Sequence, residues 1–267
     1  MLGICPSVQS FTIFGSWIDL KALVRLDSAY CNHIDRLAFE SLLSSKQFIF
    51  RSPVTLHDQL IVWLPNKQVK ASKIMFGANC TADLSTAFFR RWGSFVHSVD
   101  IGPQQTHEIF LAAMHCRNLQ IVRCKNLSFD SVIKELLWCN PNVPVSEIWL
   151  ENMLSSFTTH CEDVPLRKLH TLSIVNSACN KAFPLLATRT STTMQKLQLG
   201  SSVDVTVLMN VMRLTPKLKC HVQLSCDLLT EVCSIQLSLL HLDVSGNRIL
   251  NSDGALAMLQ KLTLYDP

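Results

Sequence analysis

The stretch "LLHLDVSGNRILNSDGALAML", residues Leu239–Leu259, has the most regular pattern in the chain. Its first half alternates apolar and polar residues as a short half-buried strand does, and its second half spaces apolar residues as a helix does. Counting from Leu239, apolar side chains occupy the first, fourth, sixth and eleventh positions, and an asparagine, Asn247, occupies the ninth. This order predicts a strand, a tight turn and then a helix.

The residues at the first, fourth and sixth positions, which we call the apolar frame, recur along most of the chain. Successive frames begin 20 to 26 residues apart, and the ninth position varies, so most of the turns must be made in another way. The frames begin at Ala71, Val96, Leu119, Val145, Leu169, Met194, Lys219, Leu239 and Leu259. We expect parallel strands centred near residues 99, 122, 148, 172, 197, 222, 242 and 262.

This recurring pattern resembles that of the leucine-rich-repeat proteins. The resemblance implies an α/β fold: a leucine-rich-repeat solenoid, with a curved parallel sheet of one strand per repeat, preceded by an N-terminal helical segment. Each repeat supplies a strand and a return segment, and only the stacking of repeats buries the apolar side of both. We expect the solenoid to occupy residues 46–267, most clearly from residue 71. The run Cys116–Leu119 resembles the joint in repeats of F-box proteins, where a buried cysteine ends the return helix.

The first 45 residues do not follow the frame and are predicted to be helical. Apolar residues have helical spacing over residues 13–43, and Ser16 and Asp19 are available to cap helix starts. The run Asp19–Leu26 resembles part of an F-box, although the usual Leu-Pro pair is absent. That resemblance implies docking on the adaptor subunit of a cullin-RING ubiquitin ligase, through Trp17, Leu20, Leu23, Val24 and Leu26. The alternative is a helical cap that covers the first repeat.

Candidate binding residues lie on the concave side of the predicted sheet. The second, third, fifth, seventh and eighth positions of each frame are free to face that side, where repeat proteins bind partners. Trp149 is the one large aromatic residue in the fifth position, and Arg123 precedes it by one strand. An exposed tryptophan beside an arginine is typical of a binding hot spot, whereas a covered one would belong to the packing. We expect a protein partner to contact Asp100, Arg123, Lys125, Glu147, Trp149, Glu151, Gln198, Gln223 and Asp243.

Composition argues against several other functions. The 24 Lys and Arg residues are scattered among 20 Asp and Glu residues, a balance that does not favour nucleic-acid binding. The eight glycines form no phosphate-binding loop and no nucleophile elbow, so we expect no enzymatic activity and no cofactor. The cysteines form no Cys-x-x-Cys pair, and we interpret Cys220, Cys226 and Cys233 near His221 as buried core cysteines rather than as metal ligands. The absence of a signal-peptide pattern and of a membrane-length apolar run predicts a cytoplasmic or nuclear protein with no membrane partner.

The last frame, Leu259–Pro267, completes a strand pattern, and no return helix follows it. An uncovered end strand exposes backbone groups that can pair with another chain. We therefore expect either a piece of a longer repeat protein or self-association through this C-terminal edge.

Overall fold

The computed structural model describes residue 15 and residues 18–29, 33–77, 80–102, 106–127, 144–152, 168–175, 193–199, 219–222 and 241–243. The helices are α1 Leu20–Ala29, α2 His33–Ser44, α3 Asp58–Asn66, α4 Ala82–Trp92 and α5 Thr106–His115, with a 3-10 turn at Gly93–Phe95. The strands are β1 Ile49–Phe50, β2 Val54–Leu56, β3 Lys70–Ala71, β4 Lys73–Phe76, β5 Ser98–Ile101, β6 Ile121–Lys125, β7 Glu147–Glu151, β8 Thr171–Val175, β9 Lys196–Leu199, β10 Lys219–Val222 and β11 His241–Asp243. The chain is α/β, as the sequence predicts.

The chain forms two compact units, and the strands of each pair in parallel. The first unit takes in the described residues up to Val122, together with Pro144, and the second takes in the others. In the first unit β1 pairs with β3, β2 with β4, and β4 with β5. In the second unit β7 to β11 pair in chain order. Seven expected strands are confirmed, while the strand near residue 262 and the C-terminal edge lie outside the described residues.

The apolar frame supplies the core. In β6, Val122 and Cys124 are buried, while Arg123 and Lys125 are exposed on the opposite face. The same alternation recurs, and every one of the following frame residues is at most 5% exposed: Ala71, Ile74, Val96, Val99, Ile101, Leu119, Val122, Cys124, Val145, Ile148, Leu150, Leu169, Leu172, Ile174, Met194 and Leu197. Since neighbouring residues of a strand point to opposite faces, the polar residues between these positions lie on the face away from the core.

One backbone arrangement recurs at the start of consecutive strands. The carbonyl oxygen at the second frame position accepts two hydrogen bonds, from the N–H groups at the second and third positions of the next frame. The accepting residues are Ser72 and His97 in the first unit and Ser146 and His170 in the second, with N–O distances of 2.8 to 3.0 Å. These bonds bring successive frames into the same alignment at the start of each strand.

Two strands end at an asparagine, one position earlier than the ninth. Asn126 follows β6 and Asn152 follows β7, with φ angles of 54° and 52°. Asparagine tolerates this left-handed region better than most residues do, which allows a sharp change of direction. The ninth position after β6 is Leu127, which is buried. Asparagine therefore still makes the turn in these repeats.

The alignment of β10 differs from the expected frame. Cys220 is aligned with Leu197 and Val222 with Leu199, so the frame begins two residues before Lys219. The prediction was wrong because a shift of two residues keeps the period of the strand, and both alignments have apolar residues at the fourth and sixth frame positions. The fifth position in β10 is consequently His221, which is aligned with Gln198.

A further frame lies upstream of Ala71, where the sequence analysis placed none. Val54 and Leu56 in β2 are buried and aligned with Ile74 and Phe76 of β4. The signal was the Val-x-Leu spacing, which occurs 20 residues before Ile-x-Phe and matches the fourth and sixth positions.

The N-terminal helices are attached to the first repeats by lysine side chains. Asp19 Oδ1 accepts a hydrogen bond from the Ala22 N–H at 2.6 Å and caps the start of α1. Lys70 Nζ donates to the Ser44 and Ser45 carbonyl oxygens at the end of α2, at 3.3 and 2.6 Å. A cation at this end of a helix satisfies carbonyl groups that have no partner within the helix. The domain boundary expected at residue 45 stays a prediction.

Lys67 makes a second attachment to the N-terminal helices, and this contact shifts the pKa of Glu40. Its Nζ lies 3.0 Å from both Glu40 Oε1 and Asp27 Oδ1. Hydrogen bonds from Lys67 and from Arg36 lower the pKa of Glu40. The stabilisation from this carboxylate is therefore present above its unfolded pKa, about 4.3, and is lost as pH falls through the lower folded value.

We expect Lys67→Met to raise the pKa of Glu40 towards its ordinary value, since the largest cause of the shift is removed. The carboxyl carbon of Glu40, followed by NMR during an acid titration, measures this directly. Lys73→Met removes an exposed lysine elsewhere and is the control. An unchanged Glu40 pKa in Lys67→Met would contradict the ion pair.

The thiol of Cys116 is expected to be unreactive in the folded chain. Cys116 follows α5, is fully buried as the joint pattern predicts, and its burial raises the pKa of the thiol. Iodoacetamide at a pH of about 8.5, near the ordinary thiol pKa, should leave it unmodified until urea unfolds the chain. Mass spectrometry of the peptide that contains Cys116 checks this, and rapid alkylation without urea would contradict it.

Candidate functional site

The candidate site is the polar face of β7 and its neighbouring strands in the second unit. Glu147, Trp149 and Glu151 alternate along β7 with the buried Ile148 and Leu150, so the first three share the face away from the core. This face was predicted from the sequence, because these residues have the third, fifth and seventh positions of their frame. We call it the Trp149 face.

The indole of Trp149 lies among charged groups from three strands. Its Nε1 donates a hydrogen bond to Glu147 Oε2 at 3.3 Å. The Arg123 guanidinium carbon lies 5.7 Å from the centre of the ring, and Lys196 Nζ lies 5.6 Å from it. Cations at this distance are attracted by the negative face of an aromatic ring. These contacts hold the indole in one place, between residues of β6 and β9.

Trp149 is half-buried, so part of the ring packs and part remains accessible. On β8, Ser173 is aligned with Trp149, and it is only 1% exposed although its position is on the polar face. Because the ring also reaches Lys196 on the strand beyond, we infer that the indole covers Ser173. The two alternatives from the sequence, a packed and an exposed tryptophan, each describe one part of this side chain.

Of the three cations described on the Trp149 face, Lys125 has a carboxylate partner, whereas Arg123 and Lys196 contact the ring. Lys125 Nζ forms an ion pair with Glu151 Oε2 at 2.7 Å, and both side chains are largely exposed. Such surface pairs contribute about 0–1 kcal/mol to stability, so this one is not a major source of stability. Within the described ranges, neither Arg123 nor Lys196 contacts a carboxylate.

The structure places the other predicted binding residues as follows. Gln198 is half-buried on β9, where it is aligned with Ser173. Asp100 is half-buried on β5 in the first unit. Gln223 and the side chain of Asp243 lie outside the described residues, and His221 has the fifth position that was assigned to Gln223.

Lys196 is the functional candidate that sequence reasoning missed. It has the third position of its frame, which lies on the same face as the fifth, whereas the sequence analysis followed the fifth position from strand to strand. The sequence signal was partial: the third position shares a face with Trp149, but β8 lies between β7 and β9, so the contact depends on the direction of the indole.

The predicted adaptor-docking residues differ in exposure. Leu23 is buried and packs in the first unit, while Leu20, Val24 and Leu26 are half-buried. Trp17 lies outside the described residues. On α2, Leu37 is 54% exposed, which makes it the most accessible large apolar side chain described in this segment. Leu23 is therefore inaccessible to an adaptor, whereas Leu37 is accessible.

No cluster of three or more His, Cys, Asp and Glu residues suited to a metal ion occurs among the described residues. None of the helices described combines the length and apolarity that crossing a membrane requires.

The sequence was compared with protein-family models and with curated proteins. No family model matches the chain. No curated protein matches it either.

Proposed function

We propose that this chain is a non-catalytic leucine-rich-repeat protein whose curved solenoid binds another protein at the Trp149 face. The observation that carries the proposal is the half-exposed Trp149 held between Arg123 and Lys196. The buried apolar frame and the repeated hydrogen bonds of the second-position carbonyls support the solenoid, since both are properties of stacked repeats.

A protein suits this face better than other partners. Trp and Arg are enriched among the residues that contribute most to protein–protein binding, particularly where a rim of polar groups surrounds them. Glu147 and Glu151 on β7 lie among the cations of β6 and β9, whereas nucleic-acid binding needs a continuous series of cations along the phosphates. The mixture of charges with one large aromatic side chain favours a specific protein partner.

Photo-crosslinking tests the proposal directly. A photoreactive amino acid at Lys125, beside the Trp149 face, should capture a defined partner in cells, which mass spectrometry identifies. With that partner purified, Trp149→Ala should weaken binding by about 2 kcal/mol or more, because the anchor is lost. Trp63→Ala removes a half-buried tryptophan in the first unit and is the matched control.

The stability of each variant separates binding from packing. If Trp149→Ala destabilises the folded chain by as many kcal/mol as it weakens partner binding, Trp149 is a packing residue and the proposed face is wrong. Equal binding by the wild type and by both tryptophan variants would also contradict it.

A second candidate function belongs to the N-terminal helices, as an adaptor-docking segment of a ubiquitin-ligase substrate receptor. The exposed Leu37 favours it, because a docking surface needs accessible apolar residues. The attachments of Lys67 and Lys70 favour the alternative, a cap that covers the first repeat. If docking is the role, a purified cullin-RING adaptor should bind the full chain, and Leu37→Asp with Val24→Asp should abolish binding. No binding to the wild type would leave the cap as the role.

A further inference from the structure

We propose that the partner presents an acidic peptide segment to the Trp149 face, with an apolar side chain flanked by carboxylates. The inference rests on the proposed function, since it names the chemistry of the partner at the same face. The apolar side chain covers the accessible part of the indole, and the carboxylates meet Arg123 and Lys196.

The acidic groups of the face are already engaged. Glu147 accepts the indole N–H, and Glu151 pairs with Lys125. Arg123 and Lys196 contact the ring and, in the part of the chain that the structure describes, no carboxylate. Among the described residues the face therefore has three cations against two carboxylates, and the two cations beside the ring have no ion-pair partner.

Binding over the indole makes that compensation necessary. Each cation lies within 5.7 Å of the ring centre, so a partner that covers Trp149 also removes water from Arg123 and Lys196. A buried charge without a counter-charge is strongly unfavourable, and a neutral partner surface would leave two of them. Carboxylates from the partner replace the lost water and select against neutral partners.

A basic partner is excluded by the same geometry. An external cation would have to approach the negative face of the indole, but Arg123 and Lys196 already lie beside the ring. It would also be repelled by both of these charges. The face is therefore unsuited to a cation-binding role.

The spacing of the groups suits an extended peptide. Side chains two residues apart in an extended segment lie on the same side, separated by about 6.6 Å along the chain. This is close to the 5.7 and 5.6 Å that separate the ring centre from the Arg123 and Lys196 charges. A segment of the form Glu-x-Leu-x-Glu thus places leucine over the ring with a carboxylate on either side.

Fluorescence anisotropy with synthetic peptides tests the inference on the full chain. The three probes are fluorescein-labelled peptides. One contains the sequence Glu-Ser-Leu-Ser-Glu, the second Gln-Ser-Leu-Ser-Gln and the third Lys-Ser-Leu-Ser-Lys. We expect the glutamate probe to bind at least tenfold more tightly than the glutamine probe at low salt, and the lysine probe more weakly than both. Raising the salt concentration should reduce this difference, because exposed charges are screened.

Variants locate the effect. Arg123→Gln with Lys196→Gln should reduce the affinity for the glutamate probe at least tenfold and abolish its advantage over the glutamine probe. The matched control is Lys73→Gln with Arg117→Gln, which removes the same two charges from exposed positions in the first unit. Charge reversal, Arg123→Glu with Lys196→Glu, should make the lysine probe the tighter ligand.

The outcomes separate this inference from the proposed function. Equal affinity for the glutamate and glutamine probes, both lost in Trp149→Ala, would overturn the acidic preference and leave the binding face standing. Equal losses in the double variant and its control, or no binding of any probe, would also overturn it. Partner binding unaffected by Trp149→Ala would instead overturn the proposed function.

Discussion

Replacement of Phe89 by alanine should lower the free energy of unfolding by about 3–5 kcal/mol, the usual cost of truncating a buried aromatic side chain. Phe89 is 0% exposed on α4, and its ring lies 5.5 Å from that of Phe76 and 5.8 Å from that of Phe88, centre to centre. The second contact is edge to face, a geometry that adds about 0.5–1.5 kcal/mol beyond burial. Phe89 therefore joins a helix to the strand β4 on which it packs.

Urea unfolding, with amide exchange of β4 to identify the first unit, measures the effect. Arg90→Ala changes the next residue, which is exposed on the same helix, and should alter stability by about 0.5 kcal/mol or less. A loss below about 1 kcal/mol in Phe89→Ala would contradict the packing of α4 on β4, since no buried aromatic truncation is that mild.

The second large effect is expected at Ile74, where two neighbouring residues make a matched pair. Ile74 is 1% exposed in the core, and Met75 is 38% exposed on the opposite face of β4. Ile74→Ala should cost about 2–5 kcal/mol, while Met75→Ala should cost about 0.5 kcal/mol or less. The same urea titration compares both, and similar costs for the pair would contradict the orientation of β4.

The strands were predictable because their core positions are constrained by spacing. Ile148 and Leu172 lie at the same frame position, and the parallel alignment of β7 with β8 follows directly from it. The frame in β2 was missed because its first position holds a charged residue, Arg51, instead of an apolar one. The two remaining apolar residues, Val54 and Leu56, are too short a pattern to detect alone. The shift in β10 was unpredictable for a different reason, since a period of two has the same apolar pattern at either alignment.

The site was predictable as a face but not in its contacts. Alternation along β7 placed Glu147, Trp149 and Glu151 together, and the preceding strand supplied Arg123. The contact of Lys196 could not be derived, because it depends on the direction in which the indole leans across β8. The helical spacing in α1 likewise identified an apolar stripe, but it did not show that Leu23 in this stripe is buried while Leu20 is half-buried.

The paired hydrogen bonds of the second-position carbonyls affect how local unfolding propagates along the strands. Each of these oxygens accepts its two hydrogen bonds from the next frame, so within each unit the bonds couple neighbouring frames. Opening of one repeat removes protection first from the adjacent strand and progressively less from strands farther away. His170 accepts from the amides of Gln195 and Lys196, so fraying of β8 would release β9 and loosen the lysine beside Trp149. The geometry of the proposed binding face would then depend on repeats that lie outside that face.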